Sequence, residues 1–277
     1  MIPMNVSDLE TSAREFLTAA GDLNRSETDG SALYHEVTAG VQRADHPIFL
    51  RFGRMIEGHL LPGDCFAAEH AGFHAADSLT VVSFAFHINP RIIDDNSREP
   101  IYPSRSWFEA RRKFDFLVSP FIELVRGIFP NRRITVPIRS ARYRADLSKK
   151  VPVSNWSERH VAFACGLGSF GLHGALITRM GCTHRLLSAV VEGGPGVCAE
   201  PPDDPYFNCL HFRDGGCGEC ISRCPVEAIV PGAHIIDRCY AHEWMTCRLR
   251  SGAIYEPGVA ACGLCMCGVP CDRSSPA

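Results

Sequence analysis

The segment Cys217-Gly-Glu-Cys220-Ile-Ser-Arg-Cys224-Pro225 decides how the rest of this chain is interpreted. It reproduces the last three cysteines and the proline of the pattern C-x2-C-x2-C-x3-C-P, in which thiolates bind 4Fe–4S clusters. A second group, Cys262-Gly-Leu-Cys265-Met-Cys267-Gly-Val-Pro-Cys271, follows near the end of the sequence. Ten of the fourteen cysteines lie between positions 209 and 271. This tail is therefore predicted to bind two 4Fe–4S clusters.

The ligands of each cluster follow from the way such runs are shared. In two-cluster proteins, the fourth cysteine of a run binds the other cluster. Asp214 occupies the position expected for the first cysteine of the run, and Cys209 is the nearest replacement. The predicted ligands of the first cluster are Cys209, Cys217, Cys220 and Cys271, and those of the second are Cys224, Cys239, Cys262 and Cys265. Cys267 is the main alternative to Cys239, and Cys247 has no assigned role.

Zinc is the alternative occupant of these cysteine groups, because paired C-x2-C motifs also form tetrahedral zinc sites. The Cys-Pro step and the number of ligands favour iron–sulfur clusters. The four cysteines outside the tail are scattered through the sequence, and we interpret them as small buried apolar residues: Cys65, Cys165, Cys182 and Cys198.

Composition places the chain among soluble globular proteins of one or two domains. It has 277 residues, 45% of them hydrophobic and 21% charged, with a net charge of −3. This balance gives no argument for binding nucleic acid or membranes. Residues 98–150 hold thirteen Lys or Arg against five Asp or Glu, which indicates a solvated basic face or a site for an anionic group such as a cofactor phosphate. Many cysteines without an export signal predict a reducing, cytoplasmic location.

The first two hundred residues are predicted to form an α/β (α+β) domain, because helical and strand patterns alternate there. A capping box at Ser7–Glu10 predicts a helix over residues 8–20. The run from Ser78 to Ile88 predicts a strand that is covered on both faces. Pro- and Gly-rich segments near position 200 predict a boundary between a domain of residues 1–200 and a ferredoxin-like domain of residues 201–277.

A glycine loop, Gly166-Leu-Gly168-Ser-Phe-Gly171, lies between a predicted helix and a predicted strand. It matches the dinucleotide-binding pattern in letters, but a Rossmann loop follows a strand and precedes a helix. Binding of NAD is therefore not predicted. A helix C-cap with a tight turn would explain the glycines without any ligand.

Taken together, three segments resemble a known family. They are Ser157-Glu-Arg-His-Val-Ala-Phe-Ala-Cys-Gly-Leu-Gly-Ser-Phe-Gly-Leu172, Ala175-Leu-Ile-Thr178 and residues 217–229, which include the cysteine motif. The chain resembles the epoxyqueuosine reductase and reductive dehalogenase group of corrinoid iron–sulfur proteins. The resemblance is greatest to short relatives that share the Cys-Gly-Val-Pro-Cys sequence of residues 267–271.

The resemblance implies an N-terminal domain that holds a base-off cobalamin, with the cluster-binding tail packed against it. It also implies that the glycine loop lines the cofactor cavity, through Gly166, Gly168, Ser169, Phe170, Gly171 and His173. Basic residues of segment 98–150 would contact the cobalamin phosphate by charge-assisted hydrogen bonds.

One departure concerns the proton donor. Epoxyqueuosine reductases have an Arg-Tyr-Ala…Asp-Tyr-His motif with a catalytic aspartate, whereas residues 101–108 read Ile-Tyr-Pro-Ser-Arg-Ser-Trp-Phe. The chain also ends at Ala277 without the helical-repeat extension that holds tRNA in those enzymes, so we do not expect epoxyqueuosine reductase activity. By position, Tyr102 and Arg105 are the catalytic candidates, as a proton donor and an anion stabiliser. The alternative is that both residues merely pack and cap the helix that follows.

Three functional hypotheses result. The first is a cytoplasmic oxidoreductase in which electrons from a ferredoxin- or flavodoxin-type donor protein pass through two clusters to a cobalamin cobalt and reduce a small-molecule substrate. The second is a ferredoxin-type electron carrier that binds no corrinoid. The third is a protein that activates the corrinoid of another enzyme.

Overall fold

The computed structural model describes residues 5–72, 78–146, 153–194 and 200–277. Within them, the α-helices are α1 (Val6–Ala19), α2 (Pro47–Met55), α3 (Pro62–Glu69), α4 (Pro90–Ser97), α5 (Arg105–Ile128), α6 (Glu158–Ala164), α7 (Leu210–Asp214), α8 (Glu219–Ser222), α9 (Ile236–Tyr240) and α10 (Arg248–Gly252). A π-helical segment, Ala241–Cys247, connects α9 to α10.

The strands are β1 (Tyr34–Arg43), β2 (Leu79–Ile88), β3 (Ile134–Thr135), β4 (Ala145–Asp146), β5 (Val153–Ser154), β6 (Gly168–Phe170), β7 (Leu176–Thr178), β8 (His184–Glu192), β9 (Ile229–Val230) and β10 (Ala233–His234). Four of them form the central sheet in the order β1-β2-β8-β3, and every neighbouring pair is antiparallel. The mixed helix-and-strand class is confirmed, and the antiparallel pairing makes it α+β.

Strand β2 lies inside the sheet, and all ten of its residues are buried. Alternating side chains point to opposite faces, so each face needs its own cover. Phe84 and Phe86 pack with α1 and α5 in one apolar core, whereas Val81 and Ala85 pack with α2, α3 and α6 in a second. The sequence prediction of a strand covered on both faces is confirmed, and the sheet is the middle of three layers.

The tail packs directly against this layered structure. Cys247, Tyr255 and Cys267 belong to the same apolar core as α5. A third, smaller core joins the β6–β7 hairpin to the tail, with Leu172 and Ile177 on one side and Ile229 and Val269 on the other. The tail therefore closes one end of the sheet layer and leaves a cavity where the two meet. Among the residues that the structure describes, no helix is long and apolar enough to cross a membrane.

Candidate iron–sulfur and corrinoid site

The first predicted cysteine group surrounds a small apolar cavity between the β6–β7 hairpin and the tail. Cys209 precedes α7, Cys220 lies in α8, and Cys217 and Cys271 come from the adjoining loops. All four line the cavity. Burial, followed by the nearby thiolates of the other three, raises the pKa of Cys220 to about 12. The four residues are thus close enough to influence one another electrostatically.

The second predicted group lies on the wall of a much larger cavity. Cys224, Cys239, Cys262 and Cys265 all line it. Burial is the first cause that raises the pKa of Cys239, to about 12, and the neighbouring Glu243, Cys262 and Cys224 raise it further. Burial and the thiolates of the other three members also raise the pKa of Cys265.

Both groups have the donor chemistry of a metal centre. A cysteine binds an iron–sulfur cluster as the thiolate and not as the thiol, yet four close thiols in an apolar site oppose one another's ionisation. A positively charged centre among them removes this opposition, because metal binding and thiol deprotonation are coupled. The residues therefore fit an iron–sulfur cluster at each group, while the division of eight cysteines into two ligand sets stays a prediction.

Two neighbours surround Cys271. The Nε2 atom of His173 lies 3.4 Å from its sulfur, and the sulfur of Cys182 lies 3.9 Å from it. Hydrogen bonds from Cys182 first and from His173 second lower the pKa of Cys271 to about 5. Cys182 is completely buried, and burial raises the pKa of its thiol. Cys271 is accordingly well prepared to act as a thiolate.

The remaining tail cysteines, Cys247 and Cys267, are buried in the first apolar core. The ligating atoms of Cys247, His242 and Cys262 lie within 4.8 Å of one another, so Cys247 is close to the second group. Cys267, the sequence alternative to Cys239, instead accepts a hydrogen bond of 3.4 Å from Asn96 Nδ2. The structure thus leaves Cys239 on the cavity wall and places Cys267 in a hydrogen bond within the core.

Two of the scattered cysteines lie away from the tail groups, whereas Cys182 lies beside Cys271. Cys65 and Cys165 are buried in the second apolar core, as the interpretation of them as small apolar residues predicts. Cys198 lies outside the described residues.

The large cavity has a volume of about 900 Å³ and lies between the sheet layer and the tail. One wall is a face of α5 with Trp107, Phe114 and Val118, and the opposite wall is the tail around the second cysteine group. Ligand pockets commonly measure about 300–1,000 Å³, so this cavity has the size for a large cofactor.

Charged side chains are unusually frequent on the cavity wall: Arg111, Asp115, Arg139, Glu158, Arg159, Arg185 and Glu243. Arg111 pairs with Asp115 at 2.8 Å, one helical turn away on α5. Burial lowers the pKa of Arg185 to about 10, so this guanidinium still carries its charge at neutral pH. The wall therefore combines apolar surface with cations that can bind an anionic group.

Glu158, the first residue of α6, is the least stabilised of these charges. Both of its carboxylate oxygens are buried, and neither has a hydrogen-bond partner of good geometry among the described residues. Burial raises its pKa to about 7, although Ser188 and Trp156 lie near enough to oppose part of that rise. At neutral pH the carboxyl group is consequently divided between its protonated and ionised forms.

Of the six residues that the resemblance assigns to the cofactor cavity, one is on the wall of the large cavity. This residue is His173. Among the residues that the structure describes, the wall does not include the other five, which are Gly166, Gly168, Ser169, Phe170 and Gly171. A Cβ atom at Gly168 would collide with the carbonyl group of Ile177, so this glycine permits the close pairing of β6 with β7. A role of these residues in corrinoid binding stays a prediction.

The two catalytic candidates lie behind the cavity. Within the described part of the chain, neither Tyr102 nor Arg105 belongs to its wall. Tyr102 stacks on His242, which does line the cavity, with ring centroids 6.1 Å apart. Arg105 is exposed and lies 5.8 Å from the Tyr255 ring. Tyr102 is thus one ring removed from the cavity, and the catalytic assignment of both residues stays a prediction.

Sequence reasoning missed the charged groups of the cavity, although α5 contained a signal. Trp107, Arg111, Phe114, Asp115 and Val118 recur at helical spacing and share one face. Two charges in an otherwise apolar stripe are a reason to expect a polar cavity rather than packed core. For Glu158 and Arg185, by contrast, the sequence carries no comparable signal, since each follows from tertiary contacts.

Comparison with known proteins gives matches among solved structures alone. No protein-family profile and no curated protein sequence matches the chain. A catabolic reductive dehalogenase is 13% identical, with 94% of this chain and 36% of that chain aligned and a TM-score of 0.50. A selenomethionine-labelled epoxyqueuosine reductase is 16% identical over 97% of this chain and 66% of that chain, with a TM-score of 0.45. The epoxyqueuosine reductase from Streptococcus thermophilus is 14% identical over 95% of this chain and 67% of that chain, with a TM-score of 0.47.

The chain thus spans about two thirds of the epoxyqueuosine reductases and about one third of the dehalogenase. At these identities the similarity is one of fold, and it confirms the resemblance that the sequence motifs indicated. The chain has a fold similar to that of the reductive dehalogenase structure.

Proposed function

We propose that this chain is an iron–sulfur oxidoreductase that binds two 4Fe–4S clusters and a corrinoid, and that it reduces a small molecule in the large cavity. The observation that carries the proposal is the position of Cys224, Cys239, Cys262 and Cys265 on the wall of that cavity. A cluster held by these residues would border the space in which cofactor and substrate meet.

The first cysteine group supports a second cluster farther from the reaction chamber. Its members line the small cavity, and His173 lines both that cavity and the large one. Two adjacent clusters form a path along which single electrons pass from a donor to the chamber. The donor in this proposal is a small redox protein of the ferredoxin or flavodoxin type.

The large cavity suits a corrinoid in size and in chemistry. Its apolar walls fit the faces of a macrocycle, and its arginines fit the cofactor's phosphate and amides. Arg111 and Arg139 belong to the basic segment 98–150, for which the sequence left open either a solvated basic face or a site for an anionic group. A bound corrinoid would supply a cobalt centre that accepts electrons from the cluster and reduces a substrate bond.

The residues of the chain would bind the substrate, exclude water and deliver protons. Tyr240 and Glu243 lie on the wall beside Cys239 and hold titratable groups there. Tyr102 and Arg105 are proposed as proton donor and anion stabiliser, and the stacking of Tyr102 on His242 supports a link to the cavity for the first of them. The identity of the reduced bond is left open in the proposal.

The proposal is tested by anaerobic purification from cells grown with cobalamin, followed by iron and cobalt analysis. We expect about eight iron atoms for two clusters, and about one cobalt atom with corrin absorbance. Iron without cobalt, also after reconstitution with cobalamin, would refute the corrinoid and support an electron-transfer protein. Zinc in place of iron would refute the proposal as a whole.

A further inference from the structure

His173 stands between the two cavities. It lines both the small cavity of the first cysteine group and the large cavity. Only 5% of its surface is exposed. The residue lies in the turn between β6 and β7, which begins at Gly171. A Cβ atom at Gly171 would lie 2.6 Å from Cε1 of the His173 ring, so the glycine is what allows the imidazole to occupy this place.

The turn also decides which ring nitrogen carries the proton. The backbone N–H of Ala175 donates to Nδ1 of His173 at 3.1 Å. Nδ1 must therefore present a lone pair, and in the neutral ring the proton resides on Nε2. Nε2 in turn faces the sulfur of Cys271 at 3.4 Å. The imidazole is consequently a donor of an N–H···S hydrogen bond to a residue of the first cysteine group.

A hydrogen bond of this kind acts on the reduction potential of a cluster. One electron from the redox protein adds one negative charge to the cluster and its thiolates. A donor aimed at a ligand sulfur stabilises that added charge, and hydrogen bonds to sulfur are among the factors that set cluster potentials.

We propose that His173 raises the reduction potential of the cluster at Cys209, Cys217, Cys220 and Cys271 by donating this hydrogen bond to Cys271. The inference rests on the proposed function, because it requires a cluster at that group. It makes His173 a positioning residue of the cluster rather than a contact of the corrinoid. The cluster nearer to the electron donor would thereby hold electrons more strongly than it would without the imidazole.

The test is an anaerobic redox titration of the holoprotein, followed by electron paramagnetic resonance. His173→Leu removes the donor and keeps a side chain of comparable bulk. We expect one of the two clusters to shift to a lower potential while the other is unchanged. His173→Gln can place an amide N–H near the position of Nε2, and should return the potential towards the wild-type value.

His211→Leu is the matched control. His211 lines the same small cavity, but its Nδ1 pairs with the carbonyl oxygen of Cys217 at 2.8 Å rather than with a sulfur. Its loss should shift the potential less than the loss of His173.

Three outcomes decide the inference. An unchanged potential in His173→Leu with full iron content would overturn it, and so would an equal fall in His173→Leu and His173→Gln. Loss of iron from His173→Leu would make the imidazole a ligand and also overturn the donor role. Absence of iron from the wild-type protein would refute the proposed function itself, which keeps the two failures distinguishable.

Discussion

The buried carboxyl group of Glu158 makes the stability of this protein depend on pH, because its pKa differs between the folded and the unfolded state. Burial raises the pKa of the carboxyl group from 4.5 to about 7. The folded state therefore binds the proton more tightly than the unfolded state does. Below pH 4.5 both states are protonated and the group costs nothing. Between pH 4.5 and 7 the unfolded state alone ionises, so stability falls as pH rises, and above pH 7 the full cost is present.

The size of that cost follows from the pKa difference. Each pKa unit corresponds to about 1.4 kcal/mol, so the cost above pH 7 is about 3 kcal/mol. Glu158→Gln replaces the carboxyl group with a neutral amide of the same shape. At pH 8 we expect the variant to be more stable than the wild type by up to about 3 kcal/mol. At pH 4.5 the two proteins should differ little.

The assay is anaerobic urea denaturation of corrinoid-free protein at the two pH values. Glu15→Gln is the control, because Glu15 is an exposed residue of α1 and its replacement should change stability little at either pH. A Glu158→Gln variant that is no more stable than the wild type at pH 8 would refute the reasoning. An equal gain at both pH values would refute it too, since it would not come from the charge.

Other predictions concern the clusters and the core. Cys224→Ser should lower the iron content from about eight towards about four atoms, as measured by iron analysis. Cys247→Ser should leave that content unchanged, and a loss would make this neighbour of the second group a ligand. Cys239→Ser should lose iron and Cys267→Ser should not, and the opposite result would exchange their roles. Phe121→Ala should lower the free energy of unfolding, measured by urea denaturation, by about 3–5 kcal/mol. The Phe121 ring is completely buried and contacts three other phenylalanines, so its removal leaves a cavity. A loss below about 1 kcal/mol would contradict this.

Strand β2 and helix α5 were predictable because local pattern and final environment agree. The β-branched run of β2 is buried on both faces, and the periodic apolar residues of α5 face the core. The start of α1 was predicted wrongly. The capping box uses Asn5 and Asp8 instead of Ser7 and Glu10: the side chain of each accepts a hydrogen bond of 3.0 Å from the backbone N–H of the other.

Strand β1 was missed because its sequence resembles a polar loop. Thr38, Gly40 and Gln42 interrupt its apolar residues. In the structure Gln42 is buried and donates to the carbonyl oxygen of Ala164, and a Cβ at Gly40 would collide with the backbone of Cys165. These residues are suited to a close approach of α6, which a local pattern does not reveal.

The cysteine groups were the most predictable part of the candidate site, because ligand spacing is written in the sequence. The cavity was the least predictable part. His184, Arg185 and Glu158 line the same cavity as the tail only because segments that are distant in sequence pack together. Likewise, the turn that fixes the orientation of His173 appears in the sequence as glycines alone.

If the tail binds the proposed clusters, its packing into the first apolar core would make the stability of the whole chain depend on iron supply. Cys267 and Tyr255 share that core with α5, and a side chain at Gly263 would collide with the Trp107 ring. Metal binding contributes to folding free energy when the ligands converge only in the folded state. Without iron, the segment between Cys209 and Cys271 would be less stably folded, and apolar residues of the first core that pack against it would become exposed to solvent. Degradation of the chain by proteases, rather than accumulation of an intact empty protein, is the expected fate under iron starvation.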